Sequence, residues 1–258
     1  MQKKKMTTKN LLDKYKLCTH KFKNSEIKIL ECHGQGVNTS RSSIILSEIL
    51  PKTFDGLNVI DLGCGTGYMS IGALKLGAKS VLATDIEDVS AVLFKSVGEN
   101  NINTKKINFC VSNMFDEIYF DKKFDIIIAN LPQHALPATK IAKKLFGKYG
   151  GFDGSDLVCK AITEGYFLLR KGGSYYGAIS ELTNHNRTFG LANTCYSCKI
   201  LKTVTKELRK DEMSPFISDR EVIDHLLRLR TEGIINFLSN SNGNNITYKV
   251  HLVELTTK

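Results

Sequence analysis

Three glycines and a carboxylate form the pattern with the clearest chemical meaning in this chain. Gly63, Gly65 and Gly67 follow the apolar segment 57–62, and Asp85 ends a second apolar segment 18 residues after the third glycine. Glycine allows a tight turn and lets a ligand approach the backbone closely. A carboxylate at the end of the second strand of a βαβ unit can accept hydrogen bonds from ribose hydroxyls. The pattern therefore predicts a site for a nucleoside-containing ligand.

The glycine spacing separates two classes of such ligand. The dinucleotide fingerprint is Gly-x-Gly-x-x-Gly, whereas this chain has Gly-x-Gly-x-Gly, with Tyr68 where the third dinucleotide glycine would stand. An NAD-dependent oxidoreductase is therefore disfavoured. The turn resembles motif I of class I S-adenosylmethionine-dependent methyltransferases, and Asp85 resembles the acidic residue of their second strand. The resemblance implies S-adenosylmethionine as methyl donor, S-adenosylhomocysteine as product, and as donor-binding residues Asp61, Gly63, Cys64, Gly65, Gly67, Asp85, Ile86, Asn113, Met114 and Asn130.

A second turn, Asn130-Leu131-Pro132-Gln133, ends the apolar segment 124–130 and resembles motif IV of amino methyltransferases. Amide and aryl amine nitrogens are poor nucleophiles because their lone pair is delocalised, so a catalyst must hold their N–H groups with fixed acceptors. The side-chain carbonyl of Asn130 and the backbone carbonyl of Leu131 would be those acceptors, and Pro132 would fix the turn. The resemblance therefore implies catalytic roles for Asn130, Leu131, Pro132 and Gln133.

Motif IV occurs in glutamine methyltransferases of the HemK type and in adenine and guanine N-methyltransferases, and this chain is similar to the HemK-type group at further positions. Residues 150–157 resemble the Gly-Gly-x-Asp-Gly segment of that group. Ser112-Asn113-Met114-Phe115 falls where the group has a Ser-Asp-x-Phe turn near the adenine, with Asn113 in place of the Asp. The resemblance covers roughly residues 37–207.

Two departures bear on the methyl acceptor. Leu131 stands where the group usually has a proline, and Gln133 replaces an aromatic residue that packs on a planar acceptor. Base stacking contributes about 1–3 kcal/mol per base, so the loss of that aromatic residue disfavours a nucleobase. The roughly 55 residues before the first strand are also too few for the helical domain of HemK-type enzymes. Leu131-Pro132-Gln133 is similar to an Ile-Pro-Gln turn at the equivalent place in plant-type methionine S-methyltransferases. A thioether therefore stays open as the methyl acceptor.

The favoured function is N-methylation of an amide or amine, glutamine-like, in a small molecule or a protein side chain. The alternatives are an rRNA or tRNA base N-methyltransferase, an S-methyltransferase acting on an amino-acid thioether, and a donor-binding protein without catalysis.

The charge distribution bears on a nucleic-acid partner. The chain has 258 residues and a formal net charge of +10, and residues 1–30 carry nine lysines against two acids. The excess charge is therefore mostly a Lys-rich N-terminal arm, which could contact a phosphate backbone without sequence preference. A solvated terminus is the favoured interpretation, so nucleic acid is the less favoured partner.

Cysteine usage and hydropathy exclude other classes. Seven cysteines, an odd number, disfavour a disulfide framework. Cys195 and Cys198 have the spacing of half a zinc site, but no second pair completes four ligands, so we expect no metal site. No apolar run reaches the roughly 20 residues that cross a bilayer, and the basic N-terminus lacks the apolar segment of a secretory signal. We therefore expect a cytoplasmic protein without membrane contact.

The elements that must position these residues alternate between strand and helix. Short apolar strands between helices are typical of a mostly parallel sheet. We predict an α/β fold of the Rossmann-like class I methyltransferase type, with a mostly parallel seven-stranded sheet and helices on both faces. The donor would lie at the carboxyl ends of strands one, two and four. The predicted strands are 57–62, 80–85, 107–112, 124–130, 174–181, 198–207 and 246–255, the last two as an antiparallel pair, and the predicted helices are 67–77, 88–99, 155–170 and 183–194.

The predicted organisation has two parts. Residues 1–50 form a Lys-rich, mainly helical extension, with helices from Lys9 to Lys23 and from Ser42 to Leu50. Residues 51–258 form the methyltransferase domain. Residues 209–244 interrupt its last two strands, and their apolar helical face fits either a substrate lid or an additional packing helix.

Overall fold

The computed structural model describes residues 14–32, 38–119, 121–137, 149–208, 220–239 and 246–258. The chain divides into two compact units, Met1–Asn130 and Leu131–Lys258. The first unit contains strands β1 (Lys16–Phe22), β2 (Ser25–Glu31), β3 (Asn58–Leu62), β4 (Ser80–Asp85), β5 (Ile107–Val111) and β6 (Phe124–Ala129), and helices α1 (Arg41–Ser47), α2 (Tyr68–Lys75) and α3 (Ser90–Glu99). The second unit contains helices α4 (Asp156–Leu168), α5 (His185–Cys195) and α6 (Arg220–Thr231), and strands β7 (Leu169–Ser180), β8 (Tyr196–Leu208), β9 (Leu238–Ser239) and β10 (Ile246–Thr257).

Four parallel strands in the order β5-β4-β3-β6 form the sheet of the first unit. Every residue of β6 is buried, as expected for a parallel strand covered on both faces. Leu62 pairs with Thr84 on one side and with Ala129 on the other. The carboxyl ends of these strands therefore lie at one edge, and the prediction of a mostly parallel α/β sheet is confirmed.

The N-terminal segment differs from its prediction. Where a helix was expected from Lys9 to Lys23, the described residues form an antiparallel hairpin of β1 and β2. Apolar residues alternate along β2, and Ile27 and Ile29 are fully buried. This period of two buries one face of a strand. The mainly helical extension is therefore wrong over residues 14–32. Residues 1–13, which carry four of the nine lysines of residues 1–30, lie outside the described residues.

The hairpin packs within the first unit. The backbone N–H of Leu30 donates to Oγ of Ser96 in α3 at 2.9 Å, and that of Lys28 donates to Oδ1 of Asn100, the residue after α3, at 2.9 Å. The hydroxyl of Tyr68, at the start of α2, donates to the carbonyl of Lys21 at 2.9 Å. These contacts fix β1 and β2 against two of the helices that flank the glycine-rich turn.

The second unit has antiparallel strands, in which β10 pairs with both β7 and β8. The expected antiparallel pair of the last two long strands is confirmed. The short strand β9 also pairs with β10. Over the described residues the strands β3 to β10 therefore number eight, one more than the seven that were predicted. Strand β9 has only two residues and lies in a polar segment, so it shows no hydrophobic period from which a strand could be predicted.

Helix α6 is the described part of the 209–244 segment. It places Val222, Leu226 and Leu229 in a buried apolar cluster with Phe237 and Leu208 of the same unit. Its exposed face carries charges, including Arg230 in its last turn. This part of the segment is a packing helix, whereas residues 209–219 and 240–245 lie outside the described residues, and a lid role for the segment stays a prediction.

Candidate active site

The glycine-rich turn has the backbone that the sequence predicts. Gly63, Gly65 and Gly67 have φ values of 71°, 52° and 80°, a region in which L side chains are strained. A Cβ on Gly65 would meet no atom within 4 Å, whereas one on Gly67 would collide with the side chain of Leu93. Gly67 is therefore required by packing, and Gly65 leaves open space over the backbone.

Asp85 joins the turn to the end of β4. Its Oδ2 accepts a hydrogen bond from the N–H of Gly65 at 2.9 Å, and its Oδ1 accepts one from Glu87 at 3.1 Å. Its carbonyl accepts from the N–H of Ser112 at 2.8 Å, and the N–H of Cys64 donates to the carbonyl of Thr84 at 2.8 Å. These bonds hold the ends of three strands together, and a carboxylate with about four acceptor positions retains some for a ligand.

Asp61 lies beneath the turn and is 3% exposed. Its Oδ2 accepts from the N–H of Ser70 at 2.9 Å and from the Ser70 hydroxyl at 2.6 Å. Burial raises the pKa of Asp61 to about 6, against the lowering effect of these two bonds. Asp61 thus fixes α2 to β3. Burial also raises the pKa of the Cys64 thiol well above its usual value, so this cysteine is not activated as a nucleophile.

The remaining predicted donor-binding residues lie beside this edge of the sheet. Ile86 directly follows Asp85 and is 50% exposed. Met114 has a φ of 59°, a conformation that few residues other than glycine adopt. Asn113 is exposed beside it. An exposed apolar side chain and a constrained turn suit a planar ring system.

Asn130 occupies the corresponding position after β6. Because Ala129 pairs with Leu62, Asn130 and Gly63 each lie one residue beyond the same pair of neighbouring strands. Neighbouring strands are separated by about 4.8 Å, so the register places Asn130 next to the glycine-rich turn. The Asn130 amide Nδ2 donates to the Oγ atoms of Ser40 at 3.1 Å and Ser43 at 2.9 Å.

The rest of the second turn begins the second unit. Leu131 is buried, and Pro132 follows it. The Gln133 amide Nε2 donates to the carbonyl of Ala178 at 2.9 Å, and its Oε1 accepts from the N–H of Ser180 at 3.0 Å. Both polar ends of Gln133 are therefore bound to the backbone of β7, and the structure gives this residue a holding function.

The Gly-Gly-x-Asp-Gly segment packs against this turn. A Cβ on Gly150 would lie 2.8 Å from Cα of Gln133, and one on Gly154 would lie 2.9 Å from the backbone nitrogen of Ala135. Glycine is needed here because two backbone segments approach closely. Asp153 accepts from the hydroxyl of Ser155 at 2.7 Å and from the side chain of Asn184 at 2.9 Å. This segment supports the second turn.

Ser40 and Ser43 were missed as site residues in the sequence. Ser40 caps α1 and accepts a hydrogen bond from the N–H of Ser43 at 3.0 Å. A serine before an apolar helical segment is a recognisable N-cap. Nothing in the local pattern indicates a contact with a residue 90 positions away.

The described residues contain no group of three or more metal-ligating side chains. Among those residues no helix is long and apolar enough to cross a membrane. The cytoplasmic location stays a prediction.

Comparison with known proteins identifies the family of this chain. The family model for ribosomal protein L11 methyltransferase (PrmA) matches residues 34–145. A relative from Methanocaldococcus jannaschii, whose name gives protein N5-glutamine methyltransferase as a provisional activity, is 33% identical over 164 residues, covering 62% of this chain and 79% of the relative. The chain belongs to the family of S-adenosylmethionine-dependent methyltransferases that includes this relative. The methyltransferase function and the methyl donor expected from the glycine-rich turn are therefore confirmed.

Other known proteins match this methyltransferase over only part of their length. A ribosomal protein L11 methyltransferase from Ruminiclostridium cellulolyticum is 37% identical, over 37% of this chain and 31% of the relative. The structure of the Thermus thermophilus 16S rRNA N2 G1207 methyltransferase, in complex with AdoMet and guanosine, matches with a TM-score of 0.56 at 16% identity. That match covers 95% of this chain and 51% of the other, and it supports the fold. The chain thus spans less than a third of that L11 methyltransferase and about half of the rRNA enzyme.

The residues of the turn fit S-adenosylmethionine. Gly65 leaves room for the donor to approach the backbone, and Asp85 keeps acceptor capacity for ribose hydroxyls beyond its bond to Gly65. Ile86 supplies an exposed apolar surface beside Asp85. The assignment of individual donor-binding residues stays a prediction.

Proposed function

We propose that this methyltransferase N-methylates a primary amide of the glutamine type, most suitably in a protein side chain. The observation that carries the proposal is the position of Asn130, one residue beyond β6 and beside the glycine-rich turn. An amide side chain at this point offers a carbonyl to the N–H groups of an acceptor. The provisional glutamine-methyltransferase name of the M. jannaschii relative agrees with this chemistry.

The chain's own groups would position the acceptor nitrogen. Oδ1 of Asn130 and the carbonyl of Leu131 would accept its N–H groups, which draws electron density toward nitrogen and favours a pyramidal geometry. Pro132 restricts the backbone, so these acceptors are oriented before the acceptor arrives. When bound, S-adenosylmethionine supplies the methyl group: its C–S bond breaks as the N–C bond forms, and the surplus proton on nitrogen leaves to water.

Gln133 would act indirectly. Its two bonds to β7 hold the turn at its far end, and the glycines at 150 and 154 allow close packing on the same turn. A turn fixed at both sides keeps its carbonyl groups in place. Correct placement of reacting groups accounts for much of the rate that an enzyme supplies.

A labelling experiment tests this proposal. The chain is incubated with S-adenosylmethionine labelled in its methyl group and with a lysate separated into protein, RNA and small molecules. We expect label in protein, recovered after digestion as N5-methylglutamine by mass spectrometry. Label in RNA would overturn the proposal in favour of base methylation, and label on a small thioether would overturn it in favour of S-methylation.

Asn130→Ala gives the residue-level test. Loss of one oriented acceptor should lower turnover by about 10²–10³-fold, while the affinity for S-adenosylhomocysteine stays close to wild type. Asn103→Ala is a control, because Asn103 is another asparagine of the first unit, where its side chain caps the short helix Thr104–Lys106. Full turnover of Asn130→Ala would remove the proposed role of Asn130.

A further inference from the structure

Two serines at the start of α1 bind the side chain of Asn130. Nδ2 of Asn130 donates to Oγ of Ser40 at 3.1 Å and to Oγ of Ser43 at 2.9 Å. The two hydroxyls also lie 2.9 Å from each other. The three side chains form a closed polar cluster within the first unit.

The hydrogen bonds of this cluster can be assigned atom by atom. Oγ of Ser40 accepts from the N–H of Ser43 and from Nδ2 of Asn130. These two donors use both of its lone pairs, so its own hydrogen is donated to Oγ of Ser43. Oγ of Ser43 therefore accepts from Ser40 and Asn130. Both hydrogens of the Asn130 amide nitrogen are then engaged, while Oδ1 has no partner among the described residues.

The segment that carries the serines is itself fixed. The N–H of Thr39 donates to Oε1 of Glu31 at 2.8 Å, and Oε1 of Glu31 also lies 2.9 Å from Nε2 of His20. The Thr39 hydroxyl lies 3.3 Å from that of Thr66, in the glycine-rich turn. The start of α1 is thus bound to the hairpin, to the donor-binding turn and to Asn130.

We propose that Ser40 and Ser43 are positioning residues that hold the Asn130 amide with Nδ2 toward α1, so that Oδ1 alone is presented to the methyl acceptor. This inference rests on the proposed function and gives a reason why the enzyme would select an amide over a thioether as methyl acceptor. A side chain fixed as a hydrogen-bond acceptor favours a substrate atom that carries N–H groups. A thioether sulfur has no hydrogen to donate, and next to Oδ1 it would leave a polar group without a partner.

The first measurement does not depend on activity. Side-chain ¹⁵N–¹H NMR signals of Asn130 are assigned with the Asn130→Ala variant and compared in wild type and Ser43→Ala. We expect the Nδ2 hydrogens to exchange faster with water and to shift in Ser43→Ala, and Ser43→Thr to restore the wild-type signals. Unchanged signals in Ser43→Ala would overturn the proposal.

The second measurement uses defined acceptors. Turnover is followed with N-acetylglutamine methylamide as the primary amide and N-acetylmethionine methylamide as the thioether. We expect Ser43→Ala to lower kcat for the amide by about tenfold, because a rotating amide is poorly oriented. KM for the donor should not change, and the ratio of amide to thioether methylation should fall.

Ser40 needs a separate control because it also caps α1. Ser40→Thr keeps a capping hydroxyl and should retain kcat, whereas Ser40→Ala loses the cap and the contact together. Asn103→Ala loses a cap elsewhere in the first unit and should retain kcat. Equal losses in Ser40→Ala and Asn103→Ala would show an effect of helix capping alone and overturn the role of Ser40.

The outcomes separate this inference from the proposed function. Wild-type protein that binds S-adenosylhomocysteine but methylates no amide would overturn the proposed function, while the NMR comparison would still test the serines. Wild-type amide methylation with unchanged kcat in the Ser43→Ala and Ser40→Ala double variant would overturn the positioning role and leave the proposed function intact.

Discussion

Oδ2 of Asp85 accepts a hydrogen bond from the backbone N–H of Gly65 at 2.9 Å. The carboxylate at the end of β4 thus fixes the glycine-rich turn at the end of β3. A residue expected to bind the donor's ribose therefore also holds the glycine-rich loop, where the rest of the donor is expected to bind. Removing this carboxylate should therefore affect the donor site in two ways.

We predict that Asp85→Ala lowers donor affinity by about 1.5–3 kcal/mol, the value of hydrogen bonds to a charged group. Calorimetry with S-adenosylhomocysteine measures the change. Glu99→Ala is the control, because Glu99 is an acid of the same unit paired on α3 with Lys95. Wild-type affinity in Asp85→Ala would show that the carboxylate does not bind the donor.

Substitutions of Gly65 and of Gly67 should be harmful for different reasons. Both have positive φ, so an L side chain is strained by about 1–2 kcal/mol at either position. Gly67→Ala adds a collision with Leu93 and should lower the melting temperature most. Gly65→Val should lower donor affinity more than stability, because its side chain would occupy the open space over the turn.

Thermal unfolding and calorimetry on the same variants separate these effects. Gly98→Ala, in α3, is the control, since a Cβ there meets no atom within 4 Å and its φ is not positive. Loss of donor affinity in Gly67→Ala without loss of stability would contradict the packing role of Gly67.

Gln133 should contribute mainly to stability, and it should affect turnover only indirectly, by holding the turn at residues 130–133. Gln133→Ala leaves the N–H of Ser180 and the carbonyl of Ala178, both in buried residues, without their side-chain partner. An unsatisfied buried polar group costs about 1–3 kcal/mol, and we expect a loss of this size in the free energy of unfolding. Urea unfolding measures it, and Asn236→Ala, which removes an exposed amide contact to Glu181, should change stability little.

The sequence predicted the parts of this molecule that local pattern determines. Three features can be recognised from residues that lie close together in the chain: the apolar segment 124–130, the glycine spacing and the acid at 85. Accordingly, β6, the turn and Asp85 appear where expected. The hairpin was not predicted, because the spacing of Leu11, Leu12, Tyr15 and Leu17 favours a helix from Lys9 to Lys23. The period of two between 25 and 31 buries Ile27 and Ile29 and indicates a strand instead.

The contacts that complete the site were beyond prediction for a physical reason. Ser40 and Ser43 contact Asn130 across about 90 residues of sequence, and the two ends of Gln133 contact β7 more than 40 residues away. Such contacts depend on how elements pack. A single sequence carries no signal for them, because serine and glutamine are equally suited to an exposed surface.

Helix α6 should behave as part of the core of its unit. Leu229 is fully buried and Leu227 is 44% exposed on the same helix. Leu229→Ala should lower the free energy of unfolding by about 2–5 kcal/mol, and Leu227→Ala should change it little. Hydrogen exchange of residues 220–231 should be as slow as in α4. Fast exchange that slows when an acceptor is added would instead support a lid.

His225 should make stability depend on pH. Its Nε2 lies 2.8 Å from the carbonyl of Phe152, which only accepts, so Nε2 carries the hydrogen. Nδ1 lies 3.4 Å from Nη2 of Arg228, a donor, so Nδ1 is the acceptor. The folded protein thus holds a neutral ring. Burial lowers its pKa below the usual 6.5, assisted by the charge of Arg228 and opposed by the Phe152 bond and by Glu232.

The direction of the pH effect follows from this lowered pKa. The unfolded chain binds a proton at His225 more readily than the folded protein, so stability is complete above pH 6.5 and falls as the pH drops through 6.5 toward the folded pKa. His225→Gln can still donate to Phe152 but does not titrate. Urea unfolding between pH 5 and 8 should show wild type losing stability relative to His225→Gln as pH falls. A constant difference between the two proteins across that range would contradict a neutral, buried His225.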